Sequence, residues 1–119
     1  MFAMFSNTPA RPTYTAADAV RDAADGKIEL IDIRDPMELA GGRAEGSVNV
    51  PLATLSMRAD PRSPECMAAF KSGKPIVLYC ASGGRASMAQ GMLEQMGHAE
   101  VHNIGGLAHW YQAGGQIAR

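Results

Sequence analysis

The run Pro75-Ile76-Val77-Leu78-Tyr79-Cys80 passes directly into Ala81-Ser82-Gly83-Gly84-Arg85 and then into a helical segment, Ala86 to Met96. A short, nearly continuous apolar run bounded by turn residues is a strand buried on both faces. Such strands belong to parallel sheets covered by helices. The same punctuation recurs along the chain. Thr15-Ala16-Ala17-Asp18 has the form of a capping box with Asp in place of Glu, opening a helix that Gly26 closes. Lys27 to Ile33 reads as a strand, alternating at first and more buried toward its end. Asp35-Pro36 starts another helix, with Asp as N-cap and Pro at the first helical position, and Gly41-Gly42 ends it.

Further on, Ser47 to Val50 is a brief strand stopped by Pro51. Ser63-Pro64-Glu65 predicts a helix running to about Lys71, closed by Gly73. Between Ala86 and Met96, the spacing of Met88, Met92, Leu93 and Met96 puts them on one face, with Gly97 as C-cap. Val101 to Ile104 is a last short strand, and Gly105-Gly106 turns the chain into a short helix from Leu107 to Tyr111. Strands alternating with helices predict an α/β fold. Its central sheet is expected to be mostly parallel, of about five strands, with helices on both faces. Sites in such sheets gather beyond the carboxyl ends of strands, where Cys80 falls.

A chain of 119 residues suits one compact domain, and an apolar content of 46% is enough for a real core. Residues 1–12 are expected to form a flexible leader to a domain over residues 13–119. The opening Met1-Phe2-Ala3-Met4-Phe5 has no basic region before it and is too short for a signal core or a membrane span. A formal net charge of −1 with no cluster of lysines and arginines argues against nucleic acid or a membrane surface as partner. The two cysteines, Cys66 and Cys80, form neither a disulfide framework nor a CxxC. The cytoplasm is therefore the expected compartment, where a free thiol stays reduced.

Cys80 by itself reads more readily as a core residue than as a nucleophile, since free cysteine is among the most buried residue types. Its surroundings favour chemistry. Gly83 and Gly84 let the backbone fold inward, and the amides from Ala81 to Ala86, including those of Ser82 and Arg85, can converge on one point at a helix start. Those donors and the helix dipole favour the reactive thiolate. Arg85 brings a planar, permanently charged fork suited to oxyanions.

Four segments together resemble the rhodanese family, over the stretch from about Tyr14 to Gly115. Ile31-Asp32-Ile33-Arg34, followed by Glu38, is similar to the family's strand-end Asp-Val-Arg signature. Gly46-Ser47-Val48-Asn49-Val50-Pro51 resembles its Gly-Ala-x-Asn-Ile-Pro segment. The segment from Tyr79 to Ser87 resembles its active-site loop and helix start. Asn103-Ile104-Gly105-Gly106-Leu107-Ala108-His109-Trp110 resembles its Gly-Gly-x-x-x-Trp signature. The resemblance implies a single rhodanese-like domain and a sulfurtransferase. Cys80 would take the outer sulfur of a small anionic donor such as thiosulfate, hold it as a persulfide, and give it to cyanide or a thiol, a protein thiol included. Residues Ala81, Ser82, Gly83, Gly84, Arg85 and Ala86 would bind the substrate, and no metal or organic cofactor is implied.

Four residues separate Cys80 from Arg85. Related phosphatases and arsenate reductases of this fold carry one more, around a larger tetrahedral oxyanion, so the shorter ring disfavours phosphoryl chemistry. A non-catalytic binding or regulatory module of the same fold is the rival, but such modules typically lack the cysteine. Two departures from the family stand out. Gly42-Arg43-Ala44-Glu45-Gly46-Ser47 replaces a Gly-His-Ile-Pro-Gly-Ala segment, and Ala81 stands where thiosulfate-preferring forms often have Arg.

Asp32 and Arg34 are candidate supporting residues at a strand end, better read as a structural pair bonding nearby backbone. Cys66, on the expected helix after Pro64, is read as a packing residue ahead of a role in resolving the persulfide. His98, His102 and His109 show no ligand spacing with either cysteine, and the eight methionines are read as core filler.

Overall fold

The computed structural model describes residues 13–119, so the expected leader lies outside the described residues. Helix α1 (Ala16–Ala24) begins with the capping box read from sequence. The Asp18 amide donates to Thr15 Oγ1 at 3.1 Å, and the Thr15 amide donates back to the Asp18 carboxylate at 2.9 Å. Strand β1 (Glu29–Asp32) follows, then a 3-10 segment (Pro36–Gly41), β2 (Arg43–Ala44) and β3 (Val48–Asn49). A second 3-10 turn (Leu52–Thr54) leads into a short helix α2 (Leu55–Ala59), and a third (Ala68–Lys71) precedes β4 (Ile76–Cys80). Helix α3 (Gly84–Gln95), β5 (Val101–Gly106), α4 (Leu107–Gln112) and β6 (Ile117–Ala118) complete the order.

The central sheet runs β3-β1-β4-β5 and all its pairs are parallel. It holds four strands, against about five expected, and β6 pairs with β2 in a separate antiparallel ribbon. All five residues of β4 are buried, as a central strand covered on both faces requires. Ile76, Leu78 and Cys80 pack with Ile31, Ile33, Leu55, Ala86, Ala89 and Leu93 on the side of α2 and α3. Val77 and Tyr79 pack with Leu30, Ala19, Ile104 and Trp110 on the side of α1 and α4. The α/β architecture with helices on both faces therefore follows from one alternating strand. No helix among the described residues is long and apolar enough to cross a membrane.

Three local expectations are corrected. The helix expected from Ser63 to Lys71 survives only as the 3-10 turn Ala68–Lys71. Met67 is extended, with φ −77° and ψ 151°, and its amide donates to Arg58 O at 2.7 Å, away from any helical ladder. Cys66 therefore lies in a turn, buried, with its thiol directed at the Met67 carbonyl. In α3 the buried stripe is Ala86, Ala89 and Leu93, with Met92 and Met96 partly buried, whereas Met88 is 62% exposed. Small alanines let the helix lie close over a strand that already supplies the bulk. The helix expected after Asp35 forms, but as a 3-10 segment.

Leaving β1 the chain moves outward to β3, then returns to add β4 and β5 on the other side. Successive connections thus diverge at the carboxyl ends of β1 and β4, the place where an open parallel sheet leaves a crevice. The segment after β1 carries Glu38, and the segment after β4 carries the cysteine loop.

Candidate active site

Cys80 ends β4, and five residues later Arg85 already lies in α3. The chain makes that turn through Gly83, whose φ of 109° is left-handed backbone that favours glycine. The turn folds the loop back over the sulfur, and the Gly83 amide donates to Cys80 Sγ at 3.0 Å. Burial pushes the Cys80 thiol up, but amides of Ala86, Gly83, Ser82 and Arg85 pull it down and prevail. The net result lies below an ordinary cysteine, as expected for a sulfur at a helix N-terminus.

Cys80 itself is only 1% exposed, while Ala81, Ser82 and Gly84 are exposed around it. The sulfur is the floor of a cup rimmed by main chain. A depressed thiol is ionised over a wider range than a free one, so Cys80 alkylation by iodoacetamide is expected to titrate below the value of about 8.5 for free cysteine. The check is the rate of mass gain at Cys80 against pH. A midpoint at or above that of a small thiol control refutes the amide account.

The back of the cup is β5. The Asn103 side-chain amide donates to Gly83 O at 3.1 Å, and the Gly105 amide donates to Asn103 Oδ1 at 2.8 Å. A Cβ at Gly106 would run into the Ala81 carbonyl, so only glycine lets strand and loop approach this closely. His109 accepts the Gly106 amide at 2.9 Å through Nδ1, which ties the start of α4 to the same wall. Sequence reasoning quoted these residues as a signature but gave Asn103 no role. An Asn two residues ahead of a Gly-Gly pair, within a short strand, was the available signal.

Arg85 does not present an open fork. Its Nη1 and Nη2 donate to the two carboxylate oxygens of Glu38 at 2.6 and 2.9 Å. Hydrogen bonds from Arg85 and from the Asp35 amide hold the Glu38 carboxyl down at about 2, so the pair is ionised throughout the neutral range. Glu38 was legible as a family residue but not as the partner of Arg85, which is 47 residues away in sequence.

Asp32 and Arg34, the candidate supporting residues, form a buried ion pair. Arg34 Nη2 and Nε donate to Asp32 at 2.8 and 3.0 Å, and Tyr79 donates its hydroxyl proton to Asp32 Oδ2 at 2.6 Å. Burial first, then this bond to the carboxylate, pushes Tyr79 up to about 12. Arg34 also reaches Gly42 O at 2.8 Å and Glu38 O at 3.4 Å. The pair thus anchors the segment that carries Glu38. Their contacts run to one another, to Tyr79 and to that backbone.

A cleft of about 320 Å³, lined by Val20, Ile28, Leu30 and Trp110 among others, lies on the α1 and α4 side and contains none of the loop residues. The converging amides and the depressed thiol point to the cup instead.

Residues 15–113 match the model of the rhodanese-like domain. The uncharacterized protein YqhL of Bacillus subtilis is 35% identical over 92 residues, covering 76% of this chain and 64% of its own length. A sulfurtransferase of Allochromatium vinosum is 31% identical over 86 residues, covering 71% of this chain and 73% of its own. Among solved structures, a protein of unknown function and possible tyrosine phosphatase from Rhodopseudomonas palustris superposes with a TM-score of 0.79 at 35% identity. It covers 89% of this chain and 83% of its own. The human single-domain sulfurtransferase TSTD1 superposes with a TM-score of 0.67 at 25% identity, covering 88% of this chain and 98% of its own. The chain spans less than two thirds of the length of YqhL. With a family match over most of the chain, and with the cup at the carboxyl end of its central strand, this protein belongs to the rhodanese-like domain family.

Proposed function

We propose that the chain is a sulfurtransferase that carries sulfur on Cys80. The observation that carries this reading is the set of amides from Ser82, Gly83, Arg85 and Ala86 that lowers the Cys80 thiol in spite of its burial. In the first step the Cys80 thiolate attacks the outer sulfur of a donor such as thiosulfate. A new S–S bond forms on the protein, the donor's S–S bond breaks, and sulfite leaves with that electron pair. The same amides then face the terminal anion of the persulfide. In the second step cyanide or a thiolate attacks that outer sulfur, and Cys80 leaves as the thiolate. The two displacements need no external electron acceptor. The deep position of the sulfur requires a donor to enter end-on through its terminal atom.

The test is to incubate reduced protein with thiosulfate and follow intact mass. The expected result is the gain of one sulfur atom, located at Cys80 and removed by cyanide. No gain, with Cys80 alkylatable and the fold intact, would favour a binding module instead. The similarity to a possible tyrosine phosphatase raises phosphoryl transfer as a second reading. Against it stand the four-residue span between Cys80 and Arg85 and the occupation of the Arg85 fork by Glu38. A phosphoryl group needs that fork free and a wider ring.

A further inference from the structure

We propose that Glu38 sets the charge preference of the Cys80 site, by holding the Arg85 guanidinium in a two-point ion pair that turns its charge away from anionic sulfur donors. The inference rests on the reading of Cys80 as the reactive sulfur and concerns which donors reach it. Both terminal nitrogens of Arg85 are engaged, at 2.6 and 2.9 Å, and each partner's side chain is 34% exposed. The pair therefore lies at the surface beside the loop and is not sealed in the core.

Glu38 is the fixed member. Its Oε1 also accepts the Asp35 amide at 3.0 Å, and its carbonyl accepts from Arg34, which is itself locked to Asp32. Arg85 comes to a carboxylate already oriented. The Glu38 hydrogen bond is the largest influence on Arg85, and the charges of Cys80 and Asp35 also act on it, so cysteine, arginine and carboxylates share one local field. Arg85 is thus paired with Glu38 and Arg34 with Asp32, so neither arginine offers an uncompensated charge beside the loop. A dianionic donor must then displace Glu38 from the fork or bind without the arginine, whereas a donor of low charge meets no such barrier.

Alkylation of Cys80 by charged and neutral reagents reads this field without any sulfur transfer. The measured quantity is the ratio of the iodoacetate rate to the iodoacetamide rate. Glu38→Gln keeps the shape and the Asp35 contact while removing the charge. It is expected to raise the ratio about fivefold at low salt, an increase that shrinks in high salt. Inorganic sulfate should also protect Cys80 from iodoacetamide at several-fold lower concentration in this variant. Arg85→Gln, which leaves Glu38 unpaired, should lower the ratio, and the double variant should return it close to the parent value.

A purely structural pair would change both alkylation rates together. A ratio within about twofold of the parent in folded Glu38→Gln, with unchanged sulfate protection, overturns the proposal. So does a ratio that rises in Arg85→Gln. These outcomes are separable from a failure of the sulfurtransferase reading, which shows as absent sulfur loading at an alkylatable Cys80.

Discussion

Cys80→Ser is expected to abolish sulfur loading from thiosulfate, with a fall in rate of about 10³-fold or more. Serine fits the same cup and can accept the Gly83 amide that the thiol accepts at 3.0 Å. Its hydroxyl stays protonated at neutral pH, so the amides have no anion to stabilise and the donor sulfur meets no nucleophile. The fold should be nearly unaffected, because a close isostere occupies a satisfied position. Intact mass after thiosulfate treatment, alongside a urea unfolding curve, separates the two effects. Loading that persists at the parental rate would move the chemistry to another sulfur. Cys66 is buried and directed at the Met67 carbonyl, which makes it a poor substitute.

Asp32→Ala is expected to be the most damaging single change to stability, at about 3–5 kcal/mol. The loss leaves the Arg34 guanidinium, whose side chain is 7% exposed, without its counter-charge, and leaves the Tyr79 hydroxyl without its acceptor. Among the described residues every buried side-chain nitrogen and oxygen has a partner, and this substitution would take from Arg34 Nε the only acceptor it has. Against a total stability of about 5–15 kcal/mol, such a loss brings a domain of this size near its limit. Urea denaturation measures it directly. A cost below about 1 kcal/mol would mean that water reaches Arg34 once Asp32 is gone.

The parts of the fold readable from sequence are those fixed by local chemistry or by complete burial. Thr15 and Asp18 announce α1 because the two residues satisfy each other's backbone partners. Ile76 to Cys80 announces β4 because a strand covered on both faces tolerates only apolar side chains. The cysteine, the glycine turn and the helix after it were legible for the same reason, since φ of 109° at Gly83 leaves a visible requirement. Helix α2 was missed because it is only five residues long and Thr54 provides no side-chain cap. Ser63-Pro64-Glu65 has the form of a helix start, but the Met67 amide found a better acceptor in Arg58, a partner no local pattern predicts. Met88 shares a helical period with buried residues, yet β4 already fills the space and the helix turns its alanines inward. The Glu38 to Arg85 pair escaped notice because only the topology brings the ends of β1 and β4 together.

The wall of β5 behind the cysteine loop has no clearance left. With a Cβ on Gly106 running into the Ala81 carbonyl, and one on Gly83 lying 3.2 Å from Gly105 Cα, the diameter of the ring is dictated partly by a strand outside it. Grafting a longer loop to admit a bulkier group would therefore force the insertion outward, lifting its amides off the sulfur, unless β5 were rebuilt as well. Reprogramming this scaffold is a two-strand problem.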